Sequence, residues 1–413
     1  MTRASGSMTC EVLIVGGGIA GLASAYFLCR AGVSVILIES ASALGTHSTA
    51  QNAAILRTLI GDPVLTAIGR NSGRLLQSPP AGFSEVPLID RAGLLLTADR
   101  ELAPHFAQWL DAAGPVPYPE CRAELIDATE VARLAPFVAH PDADRFERDE
   151  VAAAWLPDEG HIDIAALAAG FAHSATTARL LTDAHLAELT QDASGAATGG
   201  RLKDGRAIEA DAVLFTGGAW AGALAQAAGS PLTFAPRRRH LAVTVPEAGR
   251  TVDPRWPIVW NHATAPGHSF YARPEAPGLL ICACDETELE PTFTPDQATC
   301  PRDEAALEDV ARAAALFLPA FETAGVQSWW AGWRTFPTSG HVAPGRFTIG
   351  ADPQVPGLFW AAGLGGHGMT SSFEVGRLAA VALTQGLGKQ LPAVLDGSDY
   401  DGAFVPACER LLT

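Results

Sequence analysis

The stretch Glu11–Gly21 reads EVLIVGGGIAG, a short apolar run followed by Gly16-Gly17-Gly18-Ile19-Ala20-Gly21. A helical stretch continues to Ala31, and a second apolar run, Val33–Ile38, ends at Glu39. Continuous apolar runs of this length read as strands buried on both faces. The spacing predicts a βαβ dinucleotide unit. Gly16 permits the tight turn, Gly18 lets the backbone approach a pyrophosphate, and Gly21 allows the helix to pack against the strand. The helix start at Ile19 and Ala20 turns amides and the positive end of a dipole toward the phosphates. Glu39 lies 18 residues beyond Gly21, where a ribose hydroxyl would sit, with Ser40 beside it. A carboxylate there disfavours the 2′-phosphate of NADP.

Composition bounds what surrounds this unit. The chain has 413 residues, a formal net charge of −17, 48% hydrophobic and 18% charged residues. That excludes a disordered chain and allows two or three domains. The acidic balance argues against nucleic acid or an anionic membrane surface as the main partner, while leaving room for a local cationic pocket. Seven cysteines, an odd number in a long chain, suit a reducing, cytoplasmic setting rather than a disulfide scaffold. Cys282 and Cys284 alternate in the run Leu279–Cys284, which predicts a strand with both on one face as small buried hydrophobes. No C-x-x-C or H-E-x-x-H spacing suggests a metal site. Val12–Cys29 carries no charge over 18 positions, near the minimum for a membrane span. Its glycines and Ser24 instead read as a strand, loop and helix of a soluble protein, with no transmembrane segment.

Further regions extend this reading: a small-residue loop rich in hydroxyls and amides, and two glycine-rich turns. Gly45–Ala54 holds His47, Ser48, Thr49, Gln51, Asn52, Ala53 and Ala54, either a wall around a ligand or an ordinary polar loop. Near the C-terminus the strand Leu358–Ala362 leads into Gly363, Gly365, Gly366, His367, Gly368, Met369 and Thr370, then into a helical pattern over Phe373–Thr384. A third such turn follows the strand Ala212–Phe215, with Gly217, Gly218 and Trp220. Each feeds a helix N-terminus, an anion-stabilising device. Three strand–glycine–helix units spread over the chain predict one nucleotide domain assembled from residues 1–85, 151–230 and 334–413. A second domain, from 86–150 and 231–333, is inserted. Leu186 in the middle segment is taken as a further cofactor contact.

Together these pieces resemble the D-amino-acid oxidase superfamily of FAD enzymes, and within it the bacterial D-arginine dehydrogenase type of D-amino-acid dehydrogenase. The matching residues are the N-terminal fingerprint, His47-Ser48-Thr49, Pro79–Glu85, Gly160–Asp163, Pro236–Arg239, Phe270-Tyr271, Ala331–Phe336 and Gly363–Ser372. They run in order over almost the whole chain. The resemblance implies an α/β plus antiparallel β fold. A Rossmann-like FAD-binding domain of the glutathione-reductase type would carry an inserted mixed-sheet substrate domain. The cofactor is expected to be FAD, held non-covalently because no cysteine falls between Arg334 and Ser372.

The same resemblance assigns the substrate site. Arg237-Arg238-Arg239 is the only dense basic cluster. By itself it is equally a solvated strand edge, and alternation would put Arg237 and Arg239 on one face. In the family an arginine entering this strand grips the substrate carboxylate, which points to Arg239. Arg334 and Tyr271 resemble its partners on that carboxylate, and Glu85 resembles a carboxylate that attracts a distal cation. His47 resembles a histidine near the substrate amine. His367 would stabilise the reduced ring if protonated. Trp260 occupies a pocket-lining strand position with more bulk than expected. Ala50–Leu56 lacks an aromatic, with Arg57 just beyond, and Asn261–His268 reads as lengthened.

The implied reaction is oxidation of a D-configured amino acid. Hydride passes from the α-carbon to flavin N5, and the resulting imino acid hydrolyses to keto acid and ammonia. Electrons then pass to oxygen or to a quinone- or dye-like acceptor. Two alternatives stand beside it: a secondary-amine or N-alkyl amino acid oxidoreductase, including one of natural-product tailoring, and a non-catalytic FAD-binding protein.

Overall fold

The computed structural model describes residues 8–114, 121–139, 146–147, 150–264, 268–291 and 300–396. The outer ends of the first and last expected domain segments, and residues 265–267 of the stretch read as lengthened, lie outside the described residues.

The first sheet is built on the N-terminal unit. Met8–Val15 lies at its centre, parallel to Val35–Ile38 on one side and to Ala207–Phe215 on the other. Arg179–Leu181 and Leu358–Ala362 extend it in parallel, and Thr348–Ala351 closes one edge antiparallel. Val12–Ile14 are fully buried, as strands covered by helices on both faces must be.

The helix Ile19–Arg30 is buried at every position from Ile19 to Leu28. Its sequence is apolar all round because it is covered on all sides, not because it crosses a bilayer. No helix among the described residues is long and apolar enough to cross a membrane. The helix Ser372–Gly386 packs against it so closely that a Cβ on Gly376 would lie 2.5 Å from the Ala23 carbonyl carbon.

The second sheet is largely antiparallel and covers the C-terminal side of the glycine turns. Its longest pair is Phe234–Val245 with Gly325–Pro337, which sets Arg237 opposite Arg334 and Arg239 opposite Gly332. Gly278–Cys282, Phe270–Glu275, Ile258–His262 and Leu94–Ala98 follow in order. The helix Ala305–Phe317 lays Val310, Ala313, Ala314 and Phe317 on the outer face, against Phe270, Leu279 and Ile281.

Strand pairing shifts two expectations. Ala153–Leu156 pairs with Leu94–Ala98, so it falls on the inserted side of the expected 150/151 boundary. Gly325–Pro337 runs through the 333/334 boundary as one strand. The strand holding Cys282 also ends there. Cys284 lies beyond it at φ +54, with its amide donating to Cys282 Sγ at 3.4 Å, so simple alternation does not relate the two thiols.

Candidate active site

The N-terminal turn is fixed by steric contacts that only glycine tolerates. Gly16 adopts φ +115, and a Cβ there would meet the Thr216 carbonyl oxygen at 2.6 Å. A Cβ on Gly21 would lie 2.0 Å from the Gly16 oxygen. Thr216 Oγ1 donates toward the oxygens of Val15 and Gly16 at 3.0 and 2.8 Å, tying the third glycine turn to the first. Glu39 Oε2 accepts the Gly17 amide at 2.7 Å, while Oε1 accepts the Ala41 amide at 2.8 Å and the Ser40 hydroxyl at 3.1 Å. The Gly45–Ala54 loop closes over this turn, and Thr49 Oγ1 accepts the Ile19 amide at 3.0 Å.

These elements enclose a cavity of about 390 Å³. Gly16, Gly18, Ile19, Ala20, Glu39, Ser40, His47, Ser48, Thr49, Asn52 and Leu186 line it, with Gly217, Gly218 and Trp220 from the middle turn. Gly363, Gly365, Gly366, Gly368 and Met369 close the far end beside Trp333, Arg334 and Thr335. The three glycine turns therefore face one space. Side chains would fill that space, since a Cβ on Gly18 would meet Thr49 Oγ1 at 3.3 Å and one on Gly366 would meet Arg334 Cδ at 3.0 Å. An extended cavity with a carboxylate at one end, bare backbone along it and a helix start at each turn fits a dinucleotide. None of the described cysteines lines it.

Other expected cofactor residues stand behind the wall. Gly21 is consumed by helix packing. The Thr370 hydroxyl accepts the Arg57 amide at 3.1 Å and donates to the Ile55 oxygen at 3.2 Å. Gln51 lays its carbonyl across Gly332, where a Cβ would approach to 2.2 Å. The Ala53 oxygen accepts Arg273 Nε at 2.8 Å. Ala54 holds φ 55, its amide bonded to Asn52 Oδ1 at 2.6 Å. Residues sequence reading passed over include Thr216, Thr335, Ala187, Glu188 and Leu189. Only Thr216, beside Gly217-Gly218, carried a local signal.

Two arginines of the second sheet and one from the stretch after Leu56 form a cluster of buried cations beside the far end. Arg239 and Arg334 are 9% and 5% exposed, and Arg57 is 6% exposed. Tyr271 pairs across strands with Trp260 and Cys282, and its ring centroid lies 4.7 Å from that of Trp260. Burial pushes the Tyr271 hydroxyl well above the usual phenol range, so it remains a donor. His262 stacks on Trp260 at 6.2 Å.

Several expected roles change. Arg239 is ion-paired with Glu286, as is Arg237, so the protein's own carboxylate occupies the grip expected of Arg239. Among the described residues Arg334 Nη1 donates only to carbonyl oxygens, Trp333 at 3.0 Å and Gln51 at 3.4 Å. His367 is half-buried, and desolvation together with Arg57, Arg239 and Arg334 pushes its imidazole down to about 3. It is neutral near pH 7, which removes the protonated form expected of it. His47 packs its ring against Trp220 at 4.7 Å, within the dinucleotide cavity. Burial lowers its pKa despite Glu39 nearby. Glu85 is exposed and lines no part of the cavity.

Below the cluster, Glu159 is fully buried and accepts the Thr58 amide at 2.6 Å and the Thr58 hydroxyl. Burial raises its carboxyl to about 8, against opposing pulls from Thr58, Arg57 and Arg70. Its folded-state value exceeds the ordinary 4.5, so the native protein binds more protons than the unfolded chain between these limits. That stability is fully present below pH 4.5 and is lost as pH rises toward 8. The slope reaches about 1.4 kcal/mol per pH unit for a full proton. Glu159→Gln should flatten it, and urea midpoints at pH 5 and pH 8 for both proteins test this. Equal pH dependence would show Glu159 ionised in the native state.

The chain matches the family model described as DAO, FAD dependent oxidoreductase, over residues 11–382. A bovine (Bos taurus) protein named FAD-dependent oxidoreductase domain-containing protein 1 is 24% identical over 424 aligned positions, covering 91% of this chain and 81% of the relative. The structure of L-proline dehydrogenase from P. horikoshii superposes with TM-score 0.75 at 22% identity, covering 94% of this chain and 96% of that one. Glycine oxidase from Geobacillus kaustophilus does so with TM-score 0.71 at 22% identity, covering 97% and 99%. With one cavity built for a dinucleotide and a family match over nearly its full length, this chain belongs to the DAO family of FAD-dependent oxidoreductases.

Proposed function

We propose that this protein oxidises an amino acid of D configuration, withdrawing the α-hydrogen as hydride and leaving an imino acid that water converts to keto acid and ammonia. Arg334 carries this reading. It is a buried guanidinium at the border between the dinucleotide cavity and the Tyr271 cluster, bonded to backbone carbonyls and to no carboxylate among the described residues. Burying an unpaired charge is costly, so a guanidinium in this state is a site for an anion.

FAD, when bound non-covalently along the three glycine turns, supplies the hydride acceptor. The chain's own residues do the rest. Arg334 holds the substrate carboxylate in the planar, two-bond geometry available to a guanidinium. The protonated Tyr271 hydroxyl donates to the same group. Trp260 packs beside Tyr271 and backs that hydroxyl with an apolar face. Nearby guanidiniums disfavour a cationic amine and so favour the neutral form from which hydride can leave. Positioning of this kind can contribute much of the rate, because the cofactor carries the redox chemistry. The expected domain segments fit this division, residues 1–85, 151–230 and 334–413 holding cofactor and 86–150 and 231–333 holding substrate, with Ala153–Leu156 reassigned to the latter.

A second reading, oxidation of a secondary amine, is supported by the likeness to a protein named L-proline dehydrogenase, since proline is a secondary amine. Anaerobic mixing of the holoprotein with D-, L- and N-alkyl amino acids separates the two. Bleaching of the flavin by a D-amino acid is expected. Bleaching by N-alkyl substrates alone would transfer the assignment to the second reading, and bleaching by none would remove amine oxidation altogether. Repeating the reactive mixtures with oxygen and with a quinone identifies the acceptor.

A further inference from the structure

The buried guanidiniums of the second sheet and its neighbours fall into two groups. Arg239, Arg273 and Arg377 are each ion-paired within the protein, to Glu286, Glu275 and Glu374. Arg57 and Arg334 form no ion pair among the described residues. Arg57 Nε donates to the Leu59 oxygen at 3.2 Å, its guanidinium carbon lies 4.4 Å from the Trp260 ring centroid, and its terminal nitrogens carry no hydrogen bond among the described residues. The nearby acid, Glu159, forms no ion pair with it among the described residues: its carboxyl accepts from the Thr58 amide and hydroxyl, and burial disfavours its charged form. Burial also pulls Arg57 itself down to about 10, a value at which it still carries its charge.

Two buried cations without protein counterions need two anions, and one amino-acid carboxylate satisfies only one of them. We infer that the substrate bears a second carboxylate, held by Arg57, so that the preferred class is an amino acid or secondary amine with two acid groups. This inference rests on the amine-oxidising reading above. Trp260 touches both Arg57 and Tyr271, at 4.4 and 4.7 Å, so one indole borders both acid positions. A cationic side chain is disfavoured in the same place. Glu85 is exposed and lines no part of the cavity, Glu286 is occupied by Arg237 and Arg239, and Glu159 by Thr58.

The test uses unreactive acids, so that it does not depend on turnover. Succinate and glutarate are titrated into the holoprotein against butyrate at matched ionic strength, which removes general screening effects. Binding is read from the flavin absorbance shift and from tryptophan fluorescence. At least one diacid should bind about tenfold more tightly than butyrate, equivalent to about 1.4 kcal/mol. Arg57→Gln should bring the ratio to near unity, and Arg57→Lys, which keeps the charge without the fork, should restore it in part.

Equal affinities in the unaltered protein would overturn the inference, as would an undiminished ratio in a flavin-replete Arg57→Gln protein. Should that variant fail to hold flavin, the ratio in the unaltered protein decides alone. Among reactive amines, bleaching should favour aspartate- or iminodiacetate-like compounds over neutral isosteres. If neutral isosteres bleach as readily, the second-carboxylate role falls while amine oxidation stands. If no amine bleaches the flavin, the parent reading falls, and the inference about the substrate falls with it.

Discussion

Gly21→Ala is expected to yield protein that retains almost no flavin. The added Cβ would lie 2.0 Å from the Gly16 oxygen and 2.9 Å from Thr216 Oγ1. Neither atom can yield cheaply. The Gly16 oxygen belongs to a turn at φ +115, and Thr216 is bonded to that turn and to Val15. Relief requires the helix Ile19–Arg30 to move off the central strand, which withdraws its amide-bearing start from the phosphates. That helix also packs on Ser372–Gly386, where Gly376 leaves no slack against Ala23. Overpacking costs typically about 1–3 kcal/mol where neighbours can adjust, and more where they are backbone. The ratio of flavin absorbance to polypeptide in the purified variant should fall at least about tenfold. Full flavin content would mean that the turn is looser than these contacts require. Gly340→Ala, at an exposed turn without a left-handed φ and with nothing within 4 Å of the added carbon, controls for the substitution itself.

Arg334→Ala should chiefly raise KM for carboxylate substrates. Removing one partner of a buried charge-assisted contact costs about 2–5 kcal/mol, which corresponds to a rise on the order of 30- to 1,000-fold or more. Binding rather than chemistry should bear most of the loss, because the guanidinium is distant in character from the C–H bond being broken. Arg334→Lys should recover charge but not the paired-bond geometry, leaving an intermediate KM. Flavin content must be measured alongside, since Arg334 borders the dinucleotide cavity. Unchanged kinetics at full flavin content would remove Arg334 from the substrate site and with it the main support for the proposed reaction.

Legibility in the sequence followed the range of the interactions involved. The N-terminal unit was readable because a turn, a helix start and a carboxylate at fixed spacing are local consequences of chain geometry. The strand Leu358–Ala362 and the turn after it were readable for the same reason. The side-chain roles were not. Arg239 looked like a substrate ligand because Glu286, 47 residues away, is brought to it only by folding. Arg57 stood out only by its place after the Ala50–Leu56 loop, since its burial against Trp260 from a distant strand is created by folding. His367 is held neutral first by burial and then by three arginines drawn from three separate segments. Sequence reading also placed Glu85 in the site, whereas its loop turns it to solvent.

The contact between the helices Ile19–Arg30 and Ser372–Gly386 bears on how the protein is made. The first and last glycine turns belong to the two ends of the described chain, yet they wall the same cavity. A ribosome would therefore release the phosphate-binding segment long before the segment that closes the opposite end has been synthesised. Nascent chains stalled before Gly363 should capture little FAD, and retention should rise sharply once residues through Gly386 emerge. Non-local closure of this kind is slow relative to local helix formation. During that interval the apolar surface of Ile19–Leu28 lacks its eventual cover, which makes cofactor supply and chaperone access matter most late in translation.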